Sequence, residues 1–251
     1  GARMMPSMIV AVLLAVATVP ASVDPTAETG VLAYRILGPD DTPVPARLTV
    51  LEPDVDLVAL GGPFGDRHAV REDVCYALDG IGELVLPAGG CELLASRGIE
   101  WSIDRRRVEI PADGRLEVEL RIRPAVDTTG LIGGDFHLHT LTHSGHGDSN
   151  MPERIVSLVG EGVDFAIATD HNRNIDYIPT ITALGASSQI TSVVGNELST
   201  PIGHFNIFPV DPTRPPVPAR LAAAPPMFRL IRLEPNALDV VPVIQVNHPR
   251  W

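Results

Sequence analysis

The sequence predicts a two-part chain, a small β-sandwich over residues 30–124 followed by an α/β unit over residues 130–251. Three observations carry this expectation. Short apolar runs separated by Pro, Gly and Asp turns fill the first part, as in antiparallel β structure. After residue 130 the pattern changes to strand, helix, strand, the rhythm of a parallel α/β unit. Seven of the eight histidines also fall beyond residue 130, only His68 preceding it, so the two parts differ in chemistry as well as in pattern.

Composition permits both parts to bury a core. With 251 residues, 45% of them hydrophobic and 20% charged, the chain is neither disordered nor too short for two units. A net charge of -12 argues against a nucleic-acid partner, whose backbone is held by Lys and Arg clusters. The longest basic run, Arg105-Arg106-Arg107, reads as a solvated strand edge. Near the start, Arg3 precedes an apolar run at residues 8–19 and then Pro20-Ala21-Ser22. A positive head, an apolar core and a small-residue exit form a secretory signal over residues 1–21, cleaved after Ala21. The run is short for a membrane span, which needs about 20 apolar residues, and its rival is a buried N-terminal helix. The expected location is periplasmic or secreted, with no stable membrane span after cleavage. Cys75 and Cys91 could pair in that compartment or stand as two free buried thiols, and neither lies in a Cys-x-x-Cys arrangement.

In the first part, residues 31–37 and 47–51 read as strands around the turn Gly38-Pro39-Asp40-Asp41. Residues 83–86 and 91–96 flank Pro87-Ala88-Gly89-Gly90, and residues 108–110 and 115–123 flank Pro111-Ala112-Asp113-Gly114. Each pair has the look of a hairpin. In the last strand Leu116, Val118, Leu120 and Ile122 share one face, opposite Glu117, Glu119, Arg121 and Arg123, which marks a half-solvated antiparallel sheet. Asp66 and His68 sit in a Gly-rich surface loop.

In the second part, residues 131–139 form the first strand. Ser149 and Asn150 are capping residues, Pro152 suits a first helical turn, and Ile155, Leu158 and Val159 make an apolar stripe. Residues 163–169 return as a parallel strand, and residues 190–197 make a third. Glu197 and His204 are only seven apart, so the next strand at residues 204–208 must come back by a hairpin or a bent extension. Seven prolines at residues 209–226 forbid a regular element there. Residues 227–233 could make a helical turn, and residues 240–246 a last strand.

The chemistry gathers at the strand ends. Strand alternation puts Asp135, His137 and His139 on one face, opposite Phe136 and Leu138. Two imidazoles at that spacing suit a metal ion. Asp170 and His171 end the second strand, Glu197 the third, and His248 the last, and active sites of open sheets and barrels lie at such ends. The nitrogen and carboxylate mixture suits zinc, with manganese or iron also compatible. Glu197 can bridge two ions, and Asp135 is expected to orient a histidine rather than to bind metal.

Four motifs together, Asp135-Phe136-His137-Leu138-His139-Thr140, Thr169-Asp170-His171-Asn172, Gly195-Asn196-Glu197 and Asn247-His248-Pro249, resemble the polymerase and histidinol phosphatase (PHP) superfamily. Gly203-His204-Phe205-Asn206 and Glu161-Gly162-Val163-Asp164 are similar to its carbaryl-hydrolase-like metallohydrolases. Thr42-Pro43-Val44-Pro45-Ala46-Arg47 and Ala95-Ser96-Arg97-Gly98 resemble the carboxypeptidase-regulatory, transthyretin-like sandwich often fused to them. The resemblance implies a distorted seven-stranded (β/α) barrel with two or three divalent ions at its mouth. It implies His137 and His139 on one ion, shared through Glu197 with a second bound by His248 and His204. A third would take His171 with either His143 or His146. The family's closing Asp-x-His is not in these residues, so the PHP-type unit is expected to be C-terminally incomplete and weakly active as it stands.

The function expected is a metal-dependent hydrolase of small-molecule esters, phosphoesters first, with carbamate or carboxylic esters as the alternative. A metal-bridging hydroxide would be the nucleophile. Glu197 and Asp170 are the acids expected to act in catalysis. Arg173 and Arg250, next to ligand positions, could hold an anionic substrate group or be solvated surface residues. The competing reading is an inactive exported binding or scaffold protein.

Overall fold

The computed structural model describes residues 28–248. The expected signal segment and Arg250 lie outside the described residues. The first part is a sandwich of two sheets. One holds β1 (Thr29–Leu37), β5 (Ile81–Pro87) and β8 (Arg115–Arg121), in the order β5-β1-β8. The other holds β2 (Ala46–Glu52), β3 (His68–Arg71), β4 (Val74–Ala77), β6 (Gly89–Ser96) and β7 (Asp104–Ile110), in the order β3-β4-β2-β6-β7. A short helix, α1 (Leu57–Leu60), follows β2 and is capped by the Asp56 carboxylate. Inward residues of both sheets, among them Leu32, Tyr34, Leu48, Leu84, Leu93 and Leu120, make one core. Cys75 and Cys91 are buried in it as free thiols, and the Tyr34 hydroxyl stands 3.3 Å from the Cys75 sulfur.

The two expected hairpins are not formed. β5 pairs with β1 while β6 pairs with β2 and β7, so the Pro87-Ala88-Gly89 corner carries the chain from one sheet to the other. The corner at residues 111–114 does the same between β7 and β8. β8 has the expected alternation, with Val118 and Leu120 buried and its Glu and Arg residues exposed, yet it runs parallel to β1. Alternation reports which face is wet and says nothing of strand direction. The basic run lies on β7, at the sheet edge, where Arg105 and Arg107 pair with Glu92 and Arg106 with Asp104.

The second part begins with β9 (Gly134–Leu138), shorter than expected because Leu131 and Ile132 are 73% and 70% exposed. After α2 (Leu141–Ser144) comes α3 (Met151–Gly160), where Asn150 and Glu153 form a reciprocal capping box and Pro152 lies in the first turn. Next are β10 (Phe165–Ala168), α4 (Ile178–Ala183) and β11 (Thr191–Val194). β9, β10 and β11 form a parallel sheet in the order β11-β10-β9. Residues of α3 and α4, such as Ile155, Val159, Ile181 and Leu184, make the core that covers it.

The seven-stranded barrel is not what the chain forms. At Gly195 the third strand leaves the parallel sheet and continues as β12 (Asn196–Thr200), which pairs antiparallel with β13 (Gly203–Phe208) and through it with β14 (Val243–Asn247). A (β/α) barrel needs parallel neighbours joined by helical crossovers. The short link between Glu197 and His204 allows only a hairpin, and proline-rich residues 209–226 supply no crossover helix until α5 (Ala224–Ile231). The described residues of this second part therefore hold two three-stranded sheets meeting at a bend. Gly195 is required there, since a Cβ would lie 2.7 Å from the Ala168 carbonyl oxygen.

α3 also docks against the sandwich. Ala69, Leu78 and Tyr76 join its apolar core. Arg47 and the Tyr76 hydroxyl meet Glu161 at 2.7 and 2.8 Å, and Arg71 grips Glu153 through both guanidinium ends.

Candidate metal centre

The first sheet delivers His137 and His139 through a β-bulge. Ala166 of β10 pairs with Asp135 and Ala168 with Leu138, so one residue of β10, Ile167, faces two of β9, Phe136 and His137. A bulge re-aims side chains and breaks strict alternation. Asp135 consequently does not orient an imidazole. Its carboxylate accepts the His137 backbone N–H at 3.0 Å and lines a separate cavity beside α3, with Leu138.

The second sheet delivers Glu197 and His204. The Glu197 side chain is fully buried, and five imidazoles surround its carboxylate. His137, His139 and His171 bring nitrogens to 3.2, 3.0 and 3.1 Å from Oε2. His204 and His248 approach Oε1 at 3.1 and 3.6 Å. Asn247 donates to Oε1 at 3.2 Å and to Asn206 Oδ1 at 2.5 Å, and Asn206 donates to the Phe136 carbonyl at 2.7 Å. That chain of amides ties β9, β13 and β14 around the carboxylate.

Oε2 is the telling atom. Three ring nitrogens lie within 3.2 Å of it, yet none points an N–H along a hydrogen-bond direction, and the oxygen is buried without a hydrogen-bond partner. An unpaired buried carboxylate oxygen is costly. Burial alone would raise the Glu197 carboxyl, but the close approach of His139 and the charge of His137, helped by Asn247 and His171, hold it well below the usual carboxylate range. Burial also holds His171 below the usual imidazole value, with Glu197 opposing and the neighbouring histidines reinforcing. An ionised carboxylate beside an imidazole held neutral, as His171 is, is the donor state that metals require.

Three triads of donor atoms each lie within 4.8 Å of one another: His137, Glu197 and His248; His171, Glu197 and His204; His139, His146 and His171. Glu197 belongs to two of them, as a bridging carboxylate would. The donors thus fit two or three divalent ions. His146 takes the place left open between two residues: its ring stands 5.0 Å from His139 and 4.8 Å from His171, centre to centre, while His143 lines no part of the site.

Asp170 comes to the site's edge but its oxygens are taken. Oδ1 accepts from the Thr140 N–H, the Thr140 hydroxyl and the Ser144 hydroxyl, and Oδ2 from the Tyr177 hydroxyl. It acts through Ser144. Because that hydroxyl donates to Asp170, its oxygen is free to accept from His139 Nδ1–H at 3.3 Å, the tautomer that would turn the Nε2 lone pair toward a metal. Ser199 stands 2.8 Å from His171 Nδ1, the same ring nitrogen that faces Glu197 Oε2. Arg173 is exposed on the loop after β10 and is not among the residues lining the site.

Residues outside the metal-ligand pattern therefore matter. Asn247 could have been suspected from its place beside His248. Asn206 stood in the motif with His204 but without a role, and Ser144, Ser199 and Tyr177 carried no signal, since only contact reveals what a hydroxyl does.

No family model matches the chain, and no curated protein matches it. Among solved structures it is similar to a minor pilin of Streptococcus agalactiae, with 15% identity and a TM-score of 0.32, over 40% of this chain and 46% of that one. The Bacillus anthracis TIE protein shows 16% identity and a TM-score of 0.28, over 43% and 17%. A DUF3823 family protein of Parabacteroides merdae shows 16% identity and a TM-score of 0.28, over 39% and 47%. The chain spans less than half the length of each.

Proposed function

We propose that this protein is a metal-dependent hydrolase of small-molecule esters, phosphoesters first, of the kind implied by its resemblance to PHP-superfamily metallohydrolases. One observation carries the reading: a fully buried glutamate ringed by five imidazoles, with one oxygen left without a hydrogen bond. His137, His139, His146, His171, His204, His248 and Glu197 would hold two or three ions of zinc, manganese or iron. Bound ions would supply a water ionised near neutral pH and positive charge for the developing oxyanion.

The chain's own residues prepare that chemistry. Glu197 stays ionised and offers an oxygen to each of two triads. Ser144 sets the ring tautomer of His139, and Ser199 holds the His171 ring beside Glu197. Asp170, braced by Tyr177, fixes Ser144. Phosphoesters are favoured over carboxylic esters because multi-ion sites clamp both attacking and leaving oxygens of a phosphoryl group. No Lys or Arg lines the site among the described residues, so anion binding falls to the ions and the histidine rim.

Export is part of the proposal, from the apolar run at residues 8–19. Among the described residues, no helix is long and apolar enough to cross a membrane.

The test is elemental analysis of the purified chain together with hydrolysis of p-nitrophenyl phosphate and p-nitrophenyl acetate. Two or more ions per chain and faster turnover of the phosphate are expected. A chain free of stoichiometric metal, even after incubation with zinc or manganese, would favour the binding or scaffold alternative.

A further inference from the structure

We propose that Arg71, a residue of the sandwich, is a positioning residue for the loop that presents His146 to the metal centre. The inference rests on the metal reading above and adds to it a role for the sandwich.

The His146 loop has little to hold it. Gly145 and Gly147 flank the histidine with φ of +73° and +90°, and a Cβ at either would meet nothing within 4 Å. His146 itself is exposed. The base of the loop is closed by the Leu141 N–H on the Ser149 carbonyl at 2.8 Å and by the Met151 N–H on Thr142 Oγ1 at 2.9 Å. Between those ties, residues 145–148 are all exposed. An imidazole on such a loop would lose its position for want of rigidity, since glycine-rich backbone has the most conformational freedom to surrender.

Arg71 supplies the missing tether from across the unit boundary. It is the last residue of β3. Nε donates to the Asp148 carbonyl at 2.9 Å, and Nη2 donates to the same oxygen. Nη1 and Nη2 also take both Glu153 oxygens, at 2.9 and 2.7 Å. Glu153 in turn accepts the Asn150 N–H at 2.9 Å as half of the α3 capping box. One planar guanidinium thus locks the carbonyl two residues after His146 to the start of α3, a geometry lysine cannot reproduce. Arg154 of α3 stands at the same place from the other side, 3.6 Å from the Asp148 carboxylate and 3.2 Å from the His139 carbonyl. The triad of His139, His146 and His171 holds no carboxylate, so its hold on an ion depends on imidazole placement alone.

The test is titration of the metal-free full chain with cobalt(II), read by its visible absorption bands and by calorimetry, in wild type, Arg71→Ala, Arg71→Lys, His146→Ala and the Arg71→Ala/His146→Ala pair. Arg71→Ala is expected to weaken one class of site by about 10–100-fold, the range for loss of a ligand-orienting partner, and to leave the others within about twofold. With His146 already absent, Arg71→Ala should add less than about twofold, because it acts through that residue. Arg71→Lys, which keeps the charge and the stem, should lose affinity at the same single class and guards against a folding defect. Uniform weakening at every site, or an Arg71→Ala loss that persists without His146, overturns the inference while leaving the metal reading intact. Wild type that binds no cobalt overturns both.

Discussion

The two parts of the molecule solve burial in opposite ways. Only Glu92 and Ser96 are polar residues buried in the sandwich, and the Glu92 carboxylate is met by arginines at the edge. The second part buries nine: Thr140, Ser149, Thr169, Asp170, Asn196, Glu197, Thr200, Asn206 and Asn247. Most of these hydrogen-bond to the histidine-ringed carboxylate, to each other or to the strands that carry the histidines. A core built for stability alone does not take on that desolvation cost. Rules that hold throughout the sandwich are broken where the second part gathers its chemistry, as expected of a functional site.

The contrast can be tested by substitutions that separate stability from binding. Leu93→Ala, fully buried between the sandwich sheets, should cost ~2–5 kcal/mol by leaving a cavity. Denaturant unfolding would show it, and metal affinity of the folded fraction should hardly change. A comparable loss of metal would mean that the two parts are not energetically separable.

Glu197→Gln should act the other way. Metal affinity and hydrolysis should fall together by at least ~10–100-fold, since an amide cannot balance two cations. Unchanged metal content in the variant would remove Glu197 from the centre.

Asn150→Ala removes the α3 cap, at about 1 kcal/mol. Because Glu153 also anchors Arg71, faster hydrogen exchange should appear in the His146 loop as well as in the first turn of α3. Exchange confined to the helix would limit the cap to a local role.

The thiols give a smaller effect with a defined sign. Burial pushes Cys75 and Cys91 each up to about 11. The folded chain holds them neutral, so their contribution is fully present below the unfolded thiol pKa of about 8.5 and is lost as pH rises through about 11. Melting temperature should decline between those limits, and labelling by a thiol reagent at pH 8 should be slow until the sandwich opens. Rapid labelling of the native chain would place the thiols outside the core. Smallest of all, removing the exposed Arg107–Glu52 pair should change stability by less than about 0.5 kcal/mol.

Several features were readable in the residues. Turn chemistry and alternation located the sandwich strands, and β8 was correct in face though not in direction. That His137, His139, His171, His204, His248 and Glu197 would gather was legible, because few other roles draw so many imidazoles to strand ends. Asn150 and Pro152 marked the start of α3, since a cap and a first-turn proline act locally, whereas Glu153 as the other half of the capping box was not singled out.

Other features depended on contacts distant in sequence. Two apparent hairpins became crossings between sheets because a turn sequence constrains the corner and not the strand beyond it. The expected barrel gave way to two sheets, even though the seven-residue link already demanded an antiparallel return at Glu197. The bulge after Asp135 took that residue away from the imidazoles it was expected to orient. His146 over His143, Asp170 as a support for Ser144, and Arg71 reaching the loop from another unit all follow from placement. Local sequence determined what each segment could form and which side chains could bind. Which donors meet, and which residues hold them there, was decided only when strands far apart in the chain were brought around one buried carboxylate.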